Sequence, residues 1–274
     1  MDVEGRSGPG GIDALLAMSL PRAELFTLAL ARIAGLFLIA PIFGSQSVPV
    51  RVRAALVLFI AIAMLPVLPA DAAAPLPASA DAATVLGALA LQTGIGAVIG
   101  LVALFVFGGA QMAGQLAGIQ MGIGLANLFD PQTEQQITAV AQWQNLIALL
   151  IFLAVDAHHL LIRAVADSFT LLPVGGRMPA PAGMELILVL AGGIFVIALK
   201  LAAPVLVLLL MVNGAMGVLA KLIPQLNVFV VGFPLNVAAG LLVLVAAQPF
   251  TLQVLEAAFG EMQAALAAAM RALG

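Results

Sequence analysis

The chain has 274 residues, of which 64% are hydrophobic and only 8% are charged. A typical soluble domain has about 45 to 50% apolar and about 25% charged residues, so this composition excludes an ordinary soluble enzyme. The net charge of -3 offers no basic face for nucleic acid, and the absence of cysteine excludes disulfides, thiolate catalysis and cysteine-based zinc sites.

The first 22 residues mix acidic and basic side chains, so this polar N-terminal segment does not read as a cleaved signal peptide. Seven apolar blocks follow, and most have the length of a membrane-spanning helix. They cover residues 25–40, 54–69, 82–109, 137–155, 186–212, 228–247 and 254–273. The pattern predicts an all-α membrane protein with about six to seven apolar helices. The last block is amphipathic, which favours an interfacial or partner-facing helix.

The lone basic residues Arg32, Lys200 and Lys221 are each flanked by apolar residues, the first two inside the blocks and Lys221 between two of them. A charge at the centre of a bilayer costs from about 2.5 kcal/mol upward. We therefore interpret these side chains as snorkelling from helix ends or as contacting another subunit. No acidic residue lies between Leu186 and Leu255, which disfavours a proton-coupled carrier. With one tryptophan and no tyrosine, the chain also lacks the usual aromatic belts at the membrane interfaces.

The 48 residues from Ala82 to Phe129 carry no charge. A single helix of that length would measure about 72 Å, more than twice the roughly 30 Å hydrocarbon core. We therefore expect this segment to turn or break, either at the glycines of residues 94–100 or at the glycine pair 108–109.

Gly114, Gly118 and Gly122 recur every four residues among neutral amide side chains. Two interpretations remain open. One is a seam where small residues let two helices pack closely, and the spacing alone favours it. The other is a flexible loop beside an aqueous path, closed by neighbouring apolar side chains as in channel constrictions.

Asp156, His158 and His159 belong to the densest polar cluster of the sequence. A metal site is one interpretation, but successive helical residues point about 100° apart and the chain has no third histidine. We therefore predict no metal here and interpret the cluster as the solvent-exposed end of an apolar helix. Farther along the chain, apolar runs are interrupted by Pro204, Pro224 and Pro234. This pattern favours helix breaks whose free backbone carbonyl groups are hydrogen-bonded by other subunits.

Four motifs resemble the FliR family, the flagellar member of a group shared with virulence-associated type III secretion systems. They are PIFGSQSVPVRVRAAL at 41–56, AGQLAGIQMG at 113–122 with FDP at 129–131, DAHHLL at 156–161, and PQLNVFVVGFPL at 224–235. Their order matches the family and they extend over most of the chain. The family-motif positions outside the second motif are Pro41, Pro49, Arg51, Arg53, His158, His159, Pro224, Gln225, Asn227, Gly232 and Pro234, together with Lys221, a departure at a position where the family usually has arginine.

The resemblance implies long kinked helical hairpins, with a FliP-like part at residues 23–183 and a FliQ-like part at 184–274. It implies a pore-loop region at 108–136 that contains a plug projecting into a central channel. The residues assigned to the plug by this resemblance are Gly118, Gln120, Met121, Gly122, Leu125, Asn127, Phe129, Asp130 and Pro131.

The resemblance also implies a non-enzymatic export-gate subunit of the flagellar basal body in the bacterial inner membrane, with no catalytic residue, cofactor or metal. Its expected partners are FliP, FliQ, FlhB, FlhA, unfolded export substrates and the lipid membrane. A gate raised largely out of the bilayer plane would account for the missing aromatic belts. The alternatives are a virulence-type homologue and a small-solute secondary transporter.

Overall fold

The structure, a computed structural model, describes residues 11–41, 48–66, 68, 81–123, 137–173, 181–225 and 227–273, with side chains from residue 23 onward except 181–184, 186, 228 and 229. This part of the chain forms eight α-helices and no strand, which confirms the all-α fold class but not the predicted count of six to seven apolar helices. The helices are α1 (Gly11–Ile39), α2 (Val50–Met64), α3 (Ala82–Gln120), α4 (Ala139–Ala154), α5 (Ala157–Leu171), α6 (Pro181–Leu222), α7 (Val228–Ala246) and α8 (Gln248–Leu273).

Two of these helices are long and apolar enough to cross a membrane, namely α3 and residues 187–222 of α6. The pairs α4–α5 and α7–α8 are bent by 66° and 56° at their breaks, and each pair passes the same test when it is counted as one span. By length and composition the described residues therefore offer two to four spans.

The helices belong to two compact units. One comprises residues up to 101, residues 161–183 and residues from 267 onward, and the other comprises 102–160 and 184–266. Both units combine distant parts of the chain. The division into a FliP-like part and a FliQ-like part stays a prediction.

Helix α3 begins at a side-chain cap. Oδ1 of Asp81 accepts hydrogen bonds from the backbone N of Thr84 at 3.0 Å and from its Oγ1 at 2.5 Å. These two bonds, the side-chain bond above all, favour the ionised carboxylate and hold the pKa of Asp81 below its usual range. The cap fixes the start of the longest uncharged helix of the chain.

The uncharged segment does break, but not at the predicted glycines: α3 runs without interruption for 39 residues through positions 94–109 and ends just before the left-handed Gly122. Several of its glycines let other helices approach. A Cβ atom on Gly96 would overlap the carbonyl oxygen of Arg32, and one on Gly109 would lie 2.7 Å from Cγ2 of Ile197. The helix measures about 58 Å and therefore exceeds the thickness of a hydrocarbon core.

Helix α8 has one buried and one exposed face, as its amphipathic sequence predicts. The buried face packs inside this chain, and the expectation of an interfacial or partner-facing helix stays a prediction. Phe259 lies with its ring centroid 5.3 Å from that of Phe152 and 5.6 Å from that of Phe107. The buried residues at helical spacing are Leu255, Phe259, Met262, Leu266, Met270 and Leu273.

Helices α6 and α7 form an antiparallel hairpin. Nδ2 of Asn236 donates to Oδ1 of Asn213 at 2.9 Å, and Met216 lies beside Gly232. Pro224 lies in the turn between the two helices, whereas Pro204 and Pro234 lie inside α6 and α7. The prediction that all three prolines mark breaks is therefore correct only for Pro224.

Candidate functional site

The first residues of the predicted plug lie at the C-terminal end of α3. Gly118 and Gln120 lie in the last turns of the helix, not in a loop, and Met121 follows with its side chain fully buried. Gly122 has a φ of 87°, a left-handed conformation that glycine adopts without a steric penalty. The helix therefore ends at a glycine, and the chain changes direction there.

Met121 is held in an apolar cluster of the second unit. It packs with Ala117, Val140, Val205 and Leu209 from α3, α4 and α6. A Cβ atom on Gly240 of α7 would lie 2.6 Å from its Cγ and Cε atoms, so this glycine makes room for the methionine. The expectation that Met121 belongs to a projecting loop is wrong, since its side chain is part of the core. Leu125, Asn127, Phe129, Asp130 and Pro131 lie outside the described residues.

Two of the three evenly spaced glycines lie against α4. A Cβ atom on Gly114 would lie 2.5 Å from the Cα of Ala141, and one on Gly118 would lie 2.7 Å from Oγ1 of Thr138. Thr138 caps α4 by accepting a hydrogen bond from the backbone N of Ala141, and its own backbone N donates to Oε1 of Gln115 at 3.0 Å. Gly122 lies past the end of the helix and outside this contact.

The first unit contains a buried arginine that the sequence interpretation placed elsewhere. Arg32 is fully buried on α1. Its Nε donates to Oε1 of Gln92 on α3 at 2.7 Å, its Nη1 to Oγ of Ser168 on α5 at 2.8 Å, and its Nη2 to the carbonyl oxygen of Leu172 at 2.9 Å. The guanidinium carbon also lies 3.9 Å from the ring centroid of Phe169. One side chain thus connects α1, α3 and α5.

The interpretation of Arg32 as a snorkelling or subunit-contacting residue is therefore wrong. These three acceptors are neutral and lie apart from one another. The planar guanidinium can donate to all three in a fixed fork, whereas a lysine ammonium cannot. The signal for this network is present in the sequence, because Arg32 and Gln92 are both lone polar residues in apolar helices. Only the fold shows that they meet.

The two lysines differ in position. Lys221 is exposed in the last turn of α6, as expected of a lysine at a helix end. Lys200 lies in the middle of α6 and is also exposed. It lines a groove of about 440 Å³ together with Glu261 of α8 and apolar side chains that include Phe105, Ile197 and Phe250. Opposite charges therefore lie in one largely apolar groove, together with Gln253.

The polar cluster lies at the break between α4 and α5. Nδ1 of His159 lies 3.3 Å from Oδ1 of Asp156, and Nε2 of His158 lies 4.0 Å from the same oxygen. The two imidazole centroids are 4.1 Å apart. The geometric objection to a shared ion, that neighbouring helical residues point apart, does not hold at this break.

Most other positions of the family resemblance lie at helix ends. Pro49 is the N-cap residue of α2, with Arg51 exposed in the first turn, and Pro41 lies in the turn after α1. Asn227 caps α7 by accepting from the backbone N of Val230 at 3.4 Å. The remaining positions are Arg53 in α2, His158 and His159 in α5, the exposed Pro224 and Gln225 in the turn after α6, and Gly232 and Pro234 in α7.

Residues 23–262 match the model of a family described as Bacterial export proteins, family 1. The chain is 36% identical over 240 residues to the flagellar biosynthetic protein FliR of Escherichia coli K12, a match that covers 87% of this chain and 90% of that protein. It is 37% identical to FliR of Pectobacterium carotovorum over 78% of this chain and 80% of the relative. It is 33% identical to FliR of Bacillus subtilis over 80% of this chain and 84% of the relative.

The family match at residues 23–262 draws on both compact units. The names of these relatives agree on flagellar biosynthesis, and the helices are apolar enough for a membrane. The chain belongs to the FliR family of bacterial export proteins and is a membrane-embedded component of flagellar export.

Proposed function

We propose that this chain is a non-enzymatic subunit of the flagellar type III export gate in the bacterial inner membrane. In this function it forms part of the channel through which unfolded flagellar proteins leave the cytoplasm, at the base of the flagellum. The observation that carries the proposal is the match to Escherichia coli FliR over 87% of the chain. The expected neighbours are FliP and FliQ in the gate, with FlhB and FlhA in contact with it.

The surface of α6 and α7 supports an assembly. Both helices expose many large apolar side chains. Soluble monomeric proteins rarely expose so large an apolar area to water. Examples are Leu188, Phe195, Leu210, Met211, Val230, Phe233, Leu242 and Val245. Because the chain has one tryptophan and no tyrosine, this surface lacks the aromatic anchors of an ordinary lipid-facing bundle. Neighbouring apolar helices suit it better.

The end of α3 supports a plug in the following segment. Buried Met121 and left-handed Gly122 give that segment a base held by four helices. A segment that must seal a channel and yet make way for a polypeptide needs such a fixed attachment. The proposed plug therefore begins after Gly122, and its candidate residues are Leu125, Asn127, Phe129, Asp130 and Pro131.

Co-purification tests the assembly. We expect this chain, tagged and expressed with FliP and FliQ, to retain both proteins through affinity and size-exclusion steps, since its exposed apolar surface needs partners. An unrelated polytopic membrane protein with the same tag serves as the control. A stable monomer that binds neither protein and carries a small solute into vesicles would instead favour the secondary transporter.

Deletion of residues 124–130 tests the plug separately. The cut leaves Gly118 and Met121 in place, so the contacts of α3 with α4 and α7 should persist and assembly should continue. We expect resting cells to become leaky to ions, measured as loss of membrane potential with a fluorescent dye.

The matched control is a deletion of the same length between α2 and α3, at residues 71–77. This control deletion should leave the membrane potential unchanged. If the 124–130 deletion assembles and the membrane stays as tight as in the control, the plug assignment is wrong. That result would leave the co-purification test of the gate unaffected.

A further inference from the structure

Asp156, His158 and His159 place three potential metal ligands at the break between α4 and α5. One ligand atom of each residue can be chosen so that all three lie within 4.8 Å of one another. The cluster is accessible, because the side chains of Asp156 and His159 are 73% and 66% exposed. We propose that these three residues bind a divalent transition-metal ion.

The distances are close to those of a coordination sphere. Metal–ligand bonds of about 2.1 Å in a tetrahedron put neighbouring ligand atoms about 3.4 Å apart. Oδ1 of Asp156 and Nδ1 of His159 are separated by 3.3 Å. Nε2 of His158 is 4.0 Å from the same oxygen and reaches the sphere by a small rotation of its ring. The remaining coordination positions are open to water.

The backbone brings the carboxylate to the imidazoles. Asp156 has a φ of 55°, an uncommon left-handed conformation for a residue other than glycine. This conformation turns the chain so that the side chain of Asp156 faces His159 three residues later. Backbone strain of this kind concentrates at binding and catalytic sites.

The surroundings of His158 indicate which of its ring nitrogens would bind the ion. Its Nδ1 is buried and has no hydrogen-bond partner, while the ring packs against Phe152 with centroids 6.4 Å apart. Nε2 is therefore the ring nitrogen that faces Asp156, at 4.0 Å from Oδ1. With the proton on Nδ1, Nε2 carries the free lone pair and can coordinate the ion that Asp156 also binds.

The ligand types decide which ions fit. Two imidazoles and one carboxylate suit zinc, copper or nickel, whereas magnesium and calcium prefer all-oxygen sites. An ion bound here would join the residue at the break to the first turn of α5. It would therefore stiffen the bend between α4 and α5.

Metal titration of the full chain tests the proposal, because these are the only two histidines and there is no cysteine. The protein is purified in detergent with a tag free of histidine, stripped with chelator and titrated with zinc by calorimetry. We expect saturable binding of one zinc per chain, and no competition from magnesium. Copper should give an electron paramagnetic resonance spectrum with couplings to two imidazole nitrogens.

Three variants locate the site. His158→Gln, His159→Gln and Asp156→Asn should each weaken zinc binding about tenfold or more, since loss of a direct ligand costs at least as much as loss of a supporting group. Asp167→Asn removes an exposed carboxylate elsewhere on α5 and should bind as the unchanged chain does. Zinc should also raise the melting temperature of the unchanged chain but not of His159→Gln.

Absence of saturable zinc binding would overturn the proposal. Equal binding in the histidine variants, or a copper spectrum without nitrogen couplings, would do the same. The copper spectrum needs no variant, so it decides the question even if a substitution prevents folding.

Discussion

Replacing Arg32 with alanine should destabilise the chain by about 3 kcal/mol or more, since each buried acceptor left without a donor costs about 1 to 3 kcal/mol. The substitution removes three hydrogen bonds and leaves the acceptors on Gln92, Ser168 and Leu172 buried without their donor. We expect a lower melting temperature in detergent and less protein in the membrane. Arg32→Lys should also lose stability, because one ammonium group cannot reach three separated acceptors.

Two further variants test whether the loss of stability comes from the buried hydrogen-bond network of Arg32. Arg163→Ala removes an exposed arginine from α5 and should change stability by no more than about 0.5 kcal/mol. Combining Arg32→Met with Gln92→Leu should recover part of the loss, since it removes one stranded acceptor as well as the charge. If Arg32→Ala is as stable as Arg163→Ala, the buried network does not hold α1, α3 and α5 together.

The paired substitutions Gly96→Ala and Gly94→Ala should have opposite effects although they add the same methyl group to the same helix. A Cβ on Gly96 would overlap the carbonyl oxygen of Arg32 and lie 3.0 Å from the backbone N of Leu36. Backbone atoms cannot rotate away, so α1 and α3 must separate. We expect a loss of about 1 to 3 kcal/mol or more, the range for an overpacked contact.

Gly94 has no atom within 4 Å of its added Cβ, so alanine there should gain up to about 1 kcal/mol of helix propensity. Thermal unfolding in detergent and complementation of swimming provide the two measurements. Equal melting temperatures for the two variants would contradict the close contact between α1 and α3.

The glycines show what local sequence can and cannot predict. Their number favours a break in the uncharged segment, because each weakens an isolated helix. In the fold, Gly96, Gly109 and Gly114 instead face other helices that come too close for any side chain. The contacts that decide between these outcomes come from residues distant in sequence, so the spacing of the glycines could not predict a continuous 39-residue helix.

The amphipathic last block of the sequence forms α8. Its periodicity correctly predicts a helix with one apolar face, and the structure confirms that face in Leu255, Phe259 and Met262. Periodicity does not state what covers the face. In the structure, Phe107 and Phe152 of the same chain pack against Phe259 on this face.

The sequence by itself determined the all-α class, the apolar character of the helices and the family, because composition, periodicity and short motifs are local properties. Only the tertiary structure decided the role of Arg32, whose partners lie 60, 136 and 140 residues away along the chain. Likewise, only the backbone conformation of Asp156 brought its carboxylate to the two histidines. Helices form from their own residues, but the position of a polar side chain depends on which helices pack together.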